Sequence, residues 1–154
     1  MTKEEKEMLF GAEFKNIKNE FPAEMVEEIF SQEGQKEYDF VGYMNLYKMA
    51  SDVVDQRAII VDIGCYLAPQ CYLFKNHLGY IGVDDCQLKR FTCDNSEHYY
   101  GDVRQFLNDY KFDYMTDEQK AKYFIVCAYD INIFILNRIL KTFGEDNVLV
   151  CYPN

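Results

Sequence analysis

The sequence predicts an α/β fold, with a doubly wound, mainly parallel sheet of about five strands and helices ahead of it. From Ala58 onward, five runs of β character alternate with helical segments, the pattern of linked strand-helix-strand units. The stretch Ala58 to Asp85 is one such unit, with an apolar run, a glycine turn, a proline-started helix, a second apolar run and an acidic end. Its apolar runs, Ala58 to Val61 and Tyr80 to Val83, do not alternate with polar residues, as expected of strands covered on both faces.

The length of 154 residues suits a single domain, and a 49% hydrophobic share supplies a full core. Residues 1–57 read as a helical segment packed on a core spanning 58–154. Thr2 to Glu5 has capping-box spacing and opens a helix carrying Met8, Leu9, Ala12, Phe14 and Ile17. Phe21-Pro22 breaks it, and Pro22 starts a second helix through Val26 and Phe30. A third runs from about Tyr38 to Val54.

In the central unit, Asp62 ends the first strand and Gly64 provides the turn. Gly64 has the freedom to take a left-handed backbone and lets a ligand approach the main chain. Pro69 starts a helix over Gln70 to Leu78, which Gly79 caps. Asp84 ends the second strand, 22 positions after Asp62. An acidic residue near that spacing is where such folds bind ribose hydroxyls. Beyond it, Gln87 to Thr92 has room for a short helix, and His98 to Tyr100 forms a third strand. Val103 to Asp109 is a helix with Asp102 as its N-cap. Thr116 to Gln119 is a second capping box. Tyr123 to Ala128 is the fourth strand, Ile131 to Phe143 a helix capped by Gly144, and Asn147 to Cys151 the fifth strand.

At Asp62-Ile63-Gly64-Cys65-Tyr66-Leu67-Ala68 the chain resembles the class I S-adenosylmethionine-dependent methyltransferases, a family of Rossmann-like fold whose first motif is D-x-G-x-G-x-G. The first glycine is Gly64; the second and third positions hold Tyr66 and Ala68. The resemblance extends from about Asp52 to the C-terminus and implies S-adenosylmethionine as cofactor. It assigns cofactor binding to Asp62, Gly64, Cys65, Asp84, Asp85, Asp102 and Val103, with Asp102 accepting from the adenine amino group. It puts substrate or catalytic residues at the end of the fourth strand, here Tyr129 and Asp130, although Asp130 also suits an N-cap. The DNA-base motif [DN]-P-P-[YF] is absent there. The family adds two further strands after the fifth, so an open sheet edge is expected. Dinucleotide binding fits less well, because only Gly64 matches G-x-G-x-x-G and Asp62 would repel a pyrophosphate.

A net charge of −10 argues against direct nucleic-acid binding, which calls for Lys and Arg patches. It allows a basic protein partner, with solubility as the plainer reading. No apolar run approaches the length of a membrane span, and MTKEEKEMLF lacks a signal-peptide core. The sequence therefore reads as cytoplasmic, with its six cysteines reduced. None forms a C-x-x-C pair and no metal site is expected. His77 and His98 read as packed or surface residues rather than catalytic bases. Two functions stay open. One is an S-adenosylmethionine-binding, methyltransferase-like protein that takes a nucleoside-type small molecule and transfers methyl to an unknown substrate. The other is a non-catalytic protein of the same fold that associates with a basic partner, or with a second copy through the open edge.

Overall fold

The computed structural model describes residues 17–31, 37–128 and 131–150. The first predicted helix therefore falls largely outside the described residues, as do Tyr129, Asp130 and residues 151–154.

Among the described residues, two complete helices precede the sheet. The first, α1 (Ala23–Ser31), buries Val26 and Ile29. Pro22 stands just before it, and its carbonyl accepts from the Met25 and Val26 amides at 3.1 and 3.2 Å. The second, α2 (Glu37–Val53), buries Phe40, Met44, Tyr47 and Ala50. Spacings of three or four residues place these on one stripe facing the sheet.

The five strands are β1 (Ile59–Ile63), β2 (Gly79–Asp84), β3 (Ser96–Tyr100), β4 (Tyr123–Cys127) and β5 (Val148–Val150). They lie in the order β3-β2-β1-β4-β5 with every pairing parallel, an arrangement compatible with a Rossmann-like fold. The helices α3 (Val103–Asp109), α4 (Asp117–Lys120) and α5 (Ile133–Phe143) follow β3 and flank β4.

Side chains of a strand point alternately to its two faces, and here each face has its own core. Ile60, Tyr80 and Val126 pack with α1, α2 and the segment after β1. Val61, Ile63, Ile81, Val83 and Ile125 pack with α3 and α5. The wholly buried rings of Phe74, Phe106 and Phe112 contribute about 2 kcal/mol each from burial. Asp62 shares the face of Ile60, toward α2.

The capping expectations hold at two helices. Asp102 and Gln105 form a reciprocal capping box on α3, and Thr116 and Gln119 form one on α4. Four expectations are corrected. Asp62 lies within β1 rather than at its end, because the strand continues to Ile63. The segment after Pro69 is a short 3-10 helix, Pro69–Phe74, not an α-helix to Leu78. It stops early because the Asn95 side chain takes the Phe74 and His77 carbonyls at 3.0 Å each, while the Leu78 amide turns to the Gln56 carbonyl at 2.7 Å. Gly79 is consequently the first residue of β2, paired with Ile59, not a helix cap. Residues 87–92 form no helix. That connection is drawn in by the buried Arg90, whose guanidinium donates to the carbonyls of Gly82, Asp84, Cys86 and Tyr99. Arg90 also lies over the Tyr100 ring, 3.9 Å from its centroid.

No helix among the described residues is long and apolar enough to cross a membrane. No group of three or more potential metal-ligating side chains comes together among them.

Candidate functional site

The turn after β1 has an unusual backbone. Gly64, Tyr66 and Ala68 all take positive φ, at 79°, 52° and 59°. Glycine adopts this region freely, whereas a residue with a Cβ incurs about 1 kcal/mol or more. Tyr66 and Ala68 hold it because hydrogen bonds fix the turn around them. The Gly64 and Cys65 amides donate to the Val83 carbonyl at 2.7 and 3.2 Å, and the Ala68 amide donates to the Cys65 carbonyl at 2.9 Å. The left-handed positions are therefore the three that D-x-G-x-G-x-G reserves for glycine.

Asp84 completes the turn from the neighbouring strand. Its Oδ2 accepts from the Tyr66 amide at 2.9 Å and its Oδ1 from the Cys86 amide at 2.8 Å. A carboxylate offers about four lone-pair sites, so capacity for two further donors remains. Asp84 is half-buried and faces a cleft of about 580 Å3. The cleft is lined by Tyr43, Met44 and Tyr47 of α2 and by Tyr66, Leu67 and Phe91. The cleft opens at the carboxyl ends of β1 and β2, the end of a parallel sheet at which ligands of open α/β folds bind.

Asp62 does something else. It is wholly buried and accepts from Tyr47 Oη at 2.8 Å, Gln70 Nε2 at 2.8 Å and Tyr80 Oη at 2.5 Å. No cation is among these partners. Burial pushes its carboxyl up to about 6, opposed by the three donated hydrogen bonds. Burial and the adjoining carboxylate push the Tyr47 and Tyr80 phenols well above their ordinary range. Asp62 thus ties α2, the 3-10 helix and β2 to the central strand, with no surface left for a ligand.

Of the residues assigned to a cofactor, Gly64, Cys65 and Asp84 line the cleft. The Cys65 side chain is itself buried and packs over Gly82, where an added Cβ would come within 2.9 Å of Cys65 Sγ and 2.8 Å of His98 Nδ1. Asp85 is exposed beyond β2. Asp102 is exposed and occupied in capping α3, with half-buried Val103 following it. None of these three lines the cleft. His77 and His98 place Nε2 at 3.1 and 2.8 Å from the Val54 and Phe91 carbonyls, also away from the cleft.

The sequence reading missed Tyr47, Gln70 and Tyr80 as partners of Asp62, and Arg90 as the staple of the connection after β2. An acidic residue inside an apolar run was itself the signal, because a buried carboxylate requires donors.

The comparisons with known proteins returned no match: no family model fits the chain, no curated protein is similar to it in sequence, and no solved structure is similar to it.

Proposed function

We propose that the cleft binds an adenosine-type nucleoside, with S-adenosylmethionine as the favoured ligand, and that the protein is methyltransferase-like. The observation that carries this reading is the left-handed backbone at positions 64, 66 and 68, set against Asp84 at the end of the adjacent strand. Such a turn lets a ligand approach the main chain. Asp84 would accept from two vicinal hydroxyls with the capacity its two amide partners leave. Tyr43, Met44 and Phe91 would cover the apolar and aromatic parts. The volume of about 580 Å3 lies within the range of small-molecule sites.

When bound, S-adenosylmethionine supplies a methyl group on a sulfonium that leaves readily. The chain's part is to orient the nucleoside, exclude water and align a nucleophile. Tyr129 and Asp130, which follow β4 in the sequence and lie outside the described residues, are the candidates for holding that nucleophile.

Tyr66 favours the second reading, in which the fold serves association rather than turnover. Its side chain lines the cleft and is 47% exposed, in place of a glycine that would leave the space open.

Calorimetric titration with S-adenosylmethionine and S-adenosylhomocysteine separates the two. Micromolar binding supports the nucleoside site. Absence of heat with both ligands overturns it and directs the next experiment to basic protein partners.

A further inference from the structure

Cys71 and Cys93 lie outside the nucleoside reading. Cys71 belongs to the 3-10 helix after β1 and is wholly buried. Cys93 belongs to the connection between β2 and β3 and is half-buried. Their Sγ atoms are 3.5 Å apart. A disulfide needs about 2.05 Å, so an approach of about 1.5 Å closes the bond.

The backbones around the pair are already held together. On one side the Phe91 amide donates to the Leu67 carbonyl at 2.8 Å. On the other, Asn95 Nδ2 holds the Phe74 and His77 carbonyls at 3.0 Å each. Cys93 is itself fixed in a tight turn, its amide donating to Ser96 Oγ and its carbonyl accepting from the same hydroxyl, both at 2.8 Å. Cys71 Sγ lies 3.7 Å from the Phe91 carbonyl. The pair sits between two sets of hydrogen bonds that keep the segments in register.

The geometry points to Cys71 and Cys93 as a reversible dithiol–disulfide pair that locks the β2–β3 connection onto the 3-10 helix beside the cleft. The connection carries Arg90 and the cleft residue Phe91, so the lock fixes part of the cleft lining.

The oxidant is a small-molecule disulfide such as oxidised glutathione. Cys93, the more accessible thiol, attacks as thiolate. The reagent's S–S bond breaks, one glutathione thiolate leaves, and a mixed disulfide forms on Cys93. Cys71 then gives up its proton and attacks Cys93 Sγ, expelling the second glutathione thiolate. The two protein thiols lose two protons and two electrons together, and the reagent is reduced to two thiols. Burial pushes both protein thiols up, so the thiolate that attacks is a small fraction of either thiol at neutral pH.

The test uses the full chain incubated with oxidised glutathione, alkylated, digested with trypsin and mapped by mass spectrometry. The expected result is a linked peptide pair joining Cys71 to Cys93, lighter by two hydrogens and restored by dithiothreitol. The Cys71 peptide also contains Cys65. Cys71→Ser must therefore abolish the link and leave one glutathione on Cys93. Cys65→Ser must leave the link intact. The lock itself is read by hydrogen exchange, where amides in 85–95 slow by about tenfold or more on oxidation of the wild-type chain. The inference is overturned by a wild-type chain that accumulates glutathione on Cys93 without closing the link, by a link that uses Cys65, or by exchange rates that oxidation leaves unchanged. No ligand is involved, so this outcome is independent of the nucleoside titration.

Discussion

Tyr47 Oη donates to Asp62 Oδ1 at 2.8 Å in a fully buried contact, joining α2 to the central strand. With Gln70 and Tyr80 on the other oxygen, this carboxylate organises the interior beside the cleft. It has three donors and no cation among them, so its ionised form is held at a cost to stability.

The first prediction concerns pH. The Asp62 carboxyl is pushed up to about 6, above its unfolded value, so the folded chain holds this proton more tightly. The associated stability is fully present below about pH 4 and is lost as pH rises through about 6. Between pH 7.5 and pH 5 this group alone should add about 1 kcal/mol of stability. Asp62→Asn should remove that increment while the other carboxylates titrate as before. Urea unfolding of both proteins at the two pH values checks it, and parallel changes would show that Asp62 does not titrate there.

Gly82 is a packing position. An added Cβ would meet Cys65 Sγ and His98 Nδ1 at under 3 Å, whereas at Gly79 the nearest atom is 3.5 Å away. Gly82→Ala should cost about 1–3 kcal/mol, and Gly79→Ala should cost clearly less. Thermal melts of the two variants give the comparison; equal losses would mean that the space over Gly82 is readily relieved.

Tyr66 occupies a left-handed position at the cleft wall. Tyr66→Gly relieves its backbone and removes a ring from the cleft, and it should strengthen S-adenosylhomocysteine binding by about tenfold, or about 1.4 kcal/mol. Calorimetry on the variant is the measurement. An unchanged or weaker affinity would show that the ring does not obstruct the ligand.

Asp84 has two duties, and replacement by alanine would confuse them, since both of its oxygens hold backbone amides. Asp84→Asn keeps an acceptor for the turn and loses the charge. The Asn amide NH2 then faces one of the two backbone donors, so the melting temperature should fall along with nucleoside affinity, which should drop by about tenfold or more, the loss of a charged hydrogen bond being about 1.5–3 kcal/mol. A variant that binds like wild type would rule out Asp84 as the ribose acceptor.

The strands were largely legible because Ile59 to Val61 and Phe124 to Cys127 are continuous apolar runs, a pattern set by burial on both faces. Asp102 and Thr116 announced their helices through partners three residues away. What was not legible depended on distant or backbone partners. Tyr47 lies on the stripe of α2 that faces the sheet, and nothing local in the sequence links it to a carboxylate fifteen residues on. The partners of Arg90 are carbonyls, which leave no mark in a sequence. The helix expected through Leu78 had the right apolar residues, but Asn95, far along the chain, captured its carbonyls. In the site, the turn and Asp84 were visible from their spacing. The burial of Asp62 depended on side chains that reach it only in the folded molecule.

The pairing of β1 also bears on how the chain acquires its structure. Ile59 meets Gly79 on one side and Tyr123 on the other, so the central strand is completed only when a segment far downstream arrives. During synthesis, β1 and β2 can associate early, while the other edge of β1 waits for β4 to emerge. Closing so long a loop carries an entropic barrier before any contact rewards it, which makes non-local parallel pairing slow. Until then an apolar strand edge is exposed to other chains. Yield on refolding should accordingly depend on protein concentration more steeply than the stability of the finished fold would suggest.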